Sequence, residues 1–393
     1  MSHRAFKIRV FVLEGLNALT LAFYFLFLFF YMQKEHGFGN MENLLLGGYG
    51  GFVYMVASFS FGRWGRRIGF LRCLRAAFTV VSITLAVGSQ VTGTTGQLVV
   101  FTVAAFAMGF IWAPLQALCC AGESPDRVQR IVGIYNTIWA SLVALGYFVG
   151  GALYEAWPQG IFLVPAVIAA VQLLLASPLQ IDSIETSEAN PGASDEKERA
   201  VPGIVARAFL KMCWIANPFA FVAANVCTPT IPTLAERFGL TPTMAGVFCS
   251  VWLFSRAAGF VLFWQWTGWH YRLRWLVLAF FGMIGGFAGI LMSPTLPLVF
   301  VAQLVFGLAL GLIYYSSLYY SMHVDTDSQG EHGGIHEAVI GAGNFIGPLI
   351  GAGAILAFPQ VEHAGTLTVS VALALGFVWI CRIWTKRNRT AIE

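Results

Sequence analysis

The chain has 393 residues, of which 58% are hydrophobic and 11% charged, with a formal net charge of +4 and a mean hydropathy of +0.72. A soluble domain carries about 25% charged residues. This composition therefore excludes a water-covered globule and leaves lipid as the main solvent. The seven cysteines (Cys73, Cys119, Cys120, Cys213, Cys227, Cys249 and Cys381) show no C-x-x-C and no metal-ligand spacing, and read as small packing residues. No metal, cofactor or nucleic-acid partner is expected.

A spanning helix needs roughly 20 mostly apolar residues. Twelve such runs follow one another: Ile8–Met32, Leu44–Phe61, Cys73–Val91, Leu98–Cys120, Ile131–Leu153, Ile161–Leu179, Phe209–Thr230, Met244–Phe263, Trp275–Met292, Leu296–Tyr320, Ala338–Phe358 and Leu367–Trp384. The first is too long for a signal-peptide core and lacks a small-residue cleavage site, so it is expected to stay as a span. Between the sixth and seventh runs, Asp182–Gly203 is rich in Asp, Glu, Ser, Pro and Gly, the composition of a solvated linker. The expected organisation is a six-helix bundle over 1–181, a cytoplasmic linker over 182–204 and a second six-helix bundle over 205–393.

Charge sets the orientation. With both termini in the cytoplasm, twenty Lys and Arg fall in cytoplasmic segments, only Lys34 and Arg237 on the other side, and Arg256 inside a span. That asymmetry obeys the positive-inside rule. It predicts a multi-pass protein of the cell (inner) membrane with both ends inside.

The two halves resemble each other at an offset of about 201 residues, as internal repeats do. Gly109-Phe110-Ile111-Trp112 matches Gly311-Leu312-Ile313-Tyr314, Asn17 matches Asn217, Gly65 lies opposite Gly268, and Gly133 and Gly146 align with Gly334 and Gly347. Parallel repeats of this kind place a substrate site at their interface near the midplane.

Two motifs carry a family resemblance. After the second span, Ser58-Phe59-Ser60-Phe61-Gly62-Arg63-Trp64-Gly65-Arg66-Arg67 is similar to the pattern G-x-L-A-D-R-x-G-R-R of the major facilitator superfamily. Arg63, Gly65, Arg66 and Arg67 match, while Ser58 and Gly62 replace the first Gly and the Asp. In the eleventh span, Gly334, Gly343, Gly347-Pro348 and Gly351-Ala352 resemble G-x8-G-x3-G-P-x2-G-G, typical of span five in the drug antiporters of that family; span five holds a degraded copy. The resemblance implies an all-α membrane fold of twelve helices in two six-helix pseudo-symmetric bundles. It also implies a cytoplasmic gate at Arg63, Gly65, Arg66 and Arg67, and a central cavity lined by spans one, four, seven and ten. Small residues let helices approach closely and Pro bends a span, so Gly343, Gly347, Pro348 and Gly351 read as helix-packing positions.

Span one places Glu14, Asn17, Leu21, Tyr24, Leu28 and Tyr31 at i+3/i+4 spacing, and span seven does so with Trp214, Asn217, Phe221, Asn225 and Thr228. Lipid rejects Asn side chains, so both faces should look inward. The substrate-binding candidates are Asn17, Tyr24, Asn217 and Asn225, to which the cavity-lining spans implied by the resemblance add Trp112 and Gln116 in span four and Gln303 and Tyr314 in span ten. Amides among aromatics suit a hydroxylated or amphipathic organic solute. Arg256, inside span eight, is a further candidate: it binds an anionic group, pairs with Glu14 or Glu337, or snorkels to the cytoplasmic face. His336-Glu337 reads as a proton-relay pair or as a solvated helix start. Glu14 is the acidic residue lying well inside the first six spans, and removal from water disfavours its charged form, which makes it the candidate proton-coupling group.

Neither G-x-x-x-x-G-K-[ST] nor H-E-x-x-H is present, and no nucleophile, base and orienter fall together, so a pump, protease or other enzyme is not expected. The sequence points to a monomeric secondary transporter of a small organic solute, working by alternating access with H+ as coupling ion. Efflux of a drug-like amphipath and a transporter-like solute sensor are the alternatives.

Overall fold

The computed structural model describes residues 3–123, 125–180, 203–324 and 329–390. Nearly all of the expected linker lies outside them, as do the side chains of Arg63, Arg66 and residues 321–339, which include Gly334, His336 and Glu337. Among the described residues every regular element is a helix, as lipid requires of a backbone that must satisfy its own hydrogen bonds. The helices are α1 (His3–His36), α2 (Asn40–Ile68), α3 (Phe70–Gly88), α4 (Thr94–Cys120), α5 (Pro125–Ala156), α6 (Gly160–Ala176), α7 (Gly203–Arg237), α8 (Pro242–Gln265), α9 (Leu273–Met292), α10 (Leu296–Val324), α11 (Gln329–Ala357) and α12 (Ala364–Thr390). Eleven are long and apolar enough to cross a membrane, and the twelfth, α6, is an apolar helix of 17 residues.

The turns after α1 and α7 are built alike. Gly37 (φ 68°) and Gly239 (φ 62°) end the two helices in the left-handed region, which glycine enters without a Cβ clash. The next helix is then capped by a side chain. Glu42 accepts the Gly39 N–H at 2.9 Å, and Thr241 Oγ1 accepts the Met244 N–H ahead of Pro242.

Helices α1–α6 and α7–α12 form two bundles that meet chiefly along α2 against α11 and α5 against α8. Glycines bring the backbones close. A Cβ on Gly51 would lie 2.6 Å from the Asn344 carbonyl oxygen, and one on Gly246 would lie 2.9 Å from that of Tyr147. Within the second bundle, Gly343 and Gly347 set α11 against Pro218, Phe221 and Val222 of α7; Gly351 faces Val226 of α7 and, across the seam, Leu44 of α2; Pro348 is buried inside α11. Helices α3, α6, α9 and α12 turn apolar side chains outward, among them Ile83, Leu174, Phe281 and Leu375. Lipid accounts for that exposure, since no water-facing surface would be built this way.

Three cations close orphan carbonyls at helix ends, where the helix dipole favours positive charge. Arg75 donates to Ala176, Ser177 and Leu179 after α6, and Arg237 to Leu291 and Ser293 after α9. Lys7 donates to the Cys119 and Ala121 carbonyls after α4 and pairs with Glu123 at 3.5 Å, both side chains being under one-tenth exposed. Lys7→Met strands a buried carboxylate and two carbonyls, a loss of about 3 kcal/mol. The expected result is a melting temperature several degrees lower in detergent, with Lys7→Arg closer to wild type. An unchanged melting temperature for Lys7→Met would remove Lys7 from the fold's support.

Candidate functional site

Between the bundles lies a cavity of about 250 Å³, lined by α1, α2, α4 and α5 from one bundle and α7, α8, α10 and α11 from the other. Its wall is mostly aromatic and aliphatic. Glu14 and Arg256 are the only charged side chains among the described lining residues.

Helix α1 delivers Glu14, Leu21, Phe25, Leu26 and Phe29 to the cavity, not the regular α-helical stripe expected from the sequence. The cause is a π-helical segment at Leu21–Leu26, whose wider turns set the residues after it back around the axis. Phe25 and Phe29 face inward in place of Tyr24 and Leu28, and Tyr24 turns into the first bundle, where it is fully buried against Phe25 and Phe162. Asn17 is likewise buried within the bundle and does not line the cavity. Glu14 does: it is fully buried, and its Oε2 accepts the Tyr135 hydroxyl at 2.7 Å.

Helix α8 is interrupted at Ser250, between Pro242–Cys249 and Val251–Gln265. There the Gln303 amide stands in for a rung of the helical ladder. Its Nε2 donates to the Phe248 carbonyl at 3.0 Å and its Oε1 accepts the Trp252 N–H at 3.4 Å. Both ends of that amide are engaged, so Gln303 supports the helix and is not a lining residue. The break presents Trp252 and, one turn later, Arg256 to the cavity. The Arg256 guanidinium carbon lies 4.6 Å from the Trp139 ring centre and 5.2 Å from that of Trp252. At 8% exposed, it does not snorkel to a membrane face. Nor does it form an ion pair with Glu14; the Glu337 side chain lies outside the described residues.

Asn225 lines the cavity and donates to Asn344 Oδ1 across α7 and α11. Asn217, one turn before the first lining residue of α7, is buried away from it. Tyr314 reaches across the seam, and its hydroxyl donates to Asn136 Oδ1 at 3.2 Å. Trp112 and Gln116 line the wall just after the ladder of α4 breaks at Gly109–Ile111. The structure thus gathers Glu14, Trp112, Gln116, Asn225, Arg256 and Tyr314 around one space and leaves Asn17, Tyr24, Asn217 and Gln303 outside it. It adds Tyr135, Asn136, Trp139, Trp252 and Asn344. Of the expected gate residues, Gly65 is buried against Phe61 and Arg67 is exposed near the end of α2, neither of them lining the cavity, while the Arg63 and Arg66 side chains lie outside the described residues.

On the face opposite the chain ends the bundles are in contact. The Gln33 amide donates to Glu236 at 3.0 Å, and the Thr243 N–H donates to Glu155 at 3.0 Å. Gly151 rests on the backbone of Pro242 and Thr243.

Comparison with known proteins agrees with this architecture. The family model for the Major Facilitator Superfamily matches residues 10–323. No curated protein matches the chain in sequence. Among solved structures, a point mutant of the nucleoside transporter NupG is similar with a TM-score of 0.69 at 15% identity, over 97% of this chain and 99% of that one. A bacterial homologue of the human lysosomal transporter Spinster, in an inward-facing, unoccupied conformation, reaches 0.69 at 13% identity, over 99% and 98%. The human organic anion transporter MFSD10 reaches 0.66 at 14% identity, over 97% and 100%. At these identities the likeness is one of fold. With the matching family model, it places this chain among membrane transporters and not among enzymes: the chain is a member of the major facilitator superfamily.

Proposed function

We propose that the protein moves a small organic solute across the cell membrane by alternating access, driven by protons exchanged at Glu14. The observation that carries this reading is the placement of a buried carboxylate in the wall of a cavity shared by all eight seam helices. A site built from both bundles is exposed to either side as they rock, and the bundles themselves need not unfold. With both chain ends cytoplasmic, as the distribution of Lys and Arg supports, the contacts at Gln33, Glu155 and Gly151 seal the external side.

The test is transport into proteoliposomes under an imposed pH gradient, against carboxylic acids, sugars, nucleosides, amino acids and lipophilic cations. Accumulation of one class, abolished by a protonophore, is the expected result. A solute that stabilises the purified protein but undergoes neither accumulation nor counterflow would overturn the reading.

A further inference from the structure

We propose that Trp139, Trp252 and Arg256 receive the negative group of the solute, so that the substrate is a small organic monoanion with a flat apolar body. This rests on the transporter reading for its route across the membrane, but the site itself is argued from local chemistry. Arg256 is more than nine-tenths buried, and its Nε has no hydrogen-bond acceptor among the described residues. The indole N–H groups of Trp139 and Trp252 have none either. All three residues line the cavity. The constellation is therefore all donor and no acceptor, with a full positive charge at its centre.

A buried cation is costly unless it is paired. The two indole faces against the guanidinium offset part of that cost, but a ring face does not supply the acceptors its N–H groups need. The one carboxylate among the described lining residues, Glu14, accepts from Tyr135 and makes no ion pair with Arg256. A carboxylate or similar monoanion supplies both charge and acceptors, and guanidinium geometry suits such a group. A dianion would leave surplus negative charge in a wall whose one cation among the described lining residues is Arg256. The rest of the wall, with Phe29, Trp112 and Phe221, gives a flat body apolar faces to lie on. Trp139 belongs to one bundle and Arg256 to the other, so an anion held here touches both sides of the seam.

The experiment reads quenching of intrinsic tryptophan fluorescence in nanodiscs of zwitterionic lipid, which supply no net anionic headgroup. The probes share a body and differ in charge: benzoate and phenylacetate against benzamide and benzylamine. The acids are expected to bind roughly tenfold or more tighter than the amide and amine. Arg256→Gln should erase that preference and Arg256→Lys retain part of it. Trp139→Phe, which keeps the ring and removes the N–H, should weaken the acids severalfold. Equal binding of benzamide and benzoate, binding of no acid, or an unchanged preference in Arg256→Gln would each overturn the proposal. The charge series on the unaltered protein decides the matter even where a variant does not fold. Counterflow separates the two readings. Transport of a neutral or cationic solute without acid preference sinks the anion site alone, whereas acid binding without counterflow sinks the transport reading and leaves the site standing.

Discussion

Glu14→Gln is expected to abolish pH-gradient-driven accumulation, a fall of roughly tenfold or more, while solute exchange without a gradient stays within about twofold of wild type. The substitution keeps volume and an oxygen that can accept from Tyr135, so the hydrogen bond at 2.7 Å survives. What it removes is the proton. A carboxylate shut into an apolar wall favours its neutral form, and rehydration on one side of the membrane favours the charged form. A group that alternates between those surroundings takes a proton on one side and releases it on the other. Glutamine binds no exchangeable proton in this range, so accumulation loses its driving force while the cavity and the rocking of the bundles remain. A Glu14 that merely braced the first bundle would behave differently. The variant would lose yield and thermal stability, and the protein that survived would keep its gradient-driven transport. Full accumulation by a well-folded Glu14→Gln variant would transfer the coupling role to another group.

The architecture was legible because hydropathy is a direct readout of contact with lipid. The twelve apolar runs return as twelve helices in order. Their ends were less legible: α2 continues to Ile68 and α7 begins at Gly203, because outside the bilayer a helix needs no apolar residues and leaves no hydropathy signal. Among the candidate residues, the rule that lipid rejects polar side chains led to Glu14, Asn225 and Arg256, which stand at the cavity, and to Asn17 and Asn217, which do not; Gln116 followed from the spans implied by the family resemblance. The same rule points to Asn136 and Asn344, which lie in spans five and eleven, outside the four spans singled out by the family resemblance. Tyr24 shows the limit of periodicity. Regular i+3/i+4 spacing assumes a uniform helix, and the π-helical turn at Leu21–Leu26 breaks that assumption with no marker in the residues themselves. Asn17 lies before that turn and is buried within its own bundle. Gln303 shows another limit, since a buried amide may serve the backbone of a neighbouring helix as readily as a ligand.

Gly151→Val is expected to part the bundles on the face opposite the chain ends, the external one in the proposed orientation, and to cut transport by roughly tenfold, since a shift of about 1.4 kcal/mol in a two-state equilibrium changes its ratio by that factor. A Cβ on Gly151 would collide with the Pro242 carbonyl oxygen and sit 3.0 Å from the Thr243 Cα. Both neighbours are backbone, and Pro242 opens α8 under its Thr241 cap, so the collision cannot be relieved by turning a side chain. Close-packed surfaces do not compress. The relief left is for α5 and α8 to part at this level, which breaks the adjoining Glu155–Thr243 bond and draws Gln33 away from Glu236. That separation can be measured directly. With cysteines introduced as Gln33→Cys and Glu236→Cys, a short bifunctional methanethiosulfonate should join the pair quickly in the otherwise unaltered protein. Joining should be roughly tenfold slower once Gly151→Val is added, in step with the shift in population. Gly353→Val is the control, because a Cβ there meets nothing within 4 Å; it should alter neither rate. The contrast separates a wedge between bundles from a general loss of helix quality, which both substitutions share. Rapid joining together with normal transport in Gly151→Val would show that the two bundles close around position 151 without the contact seen here, and the external seal would then have to lie elsewhere.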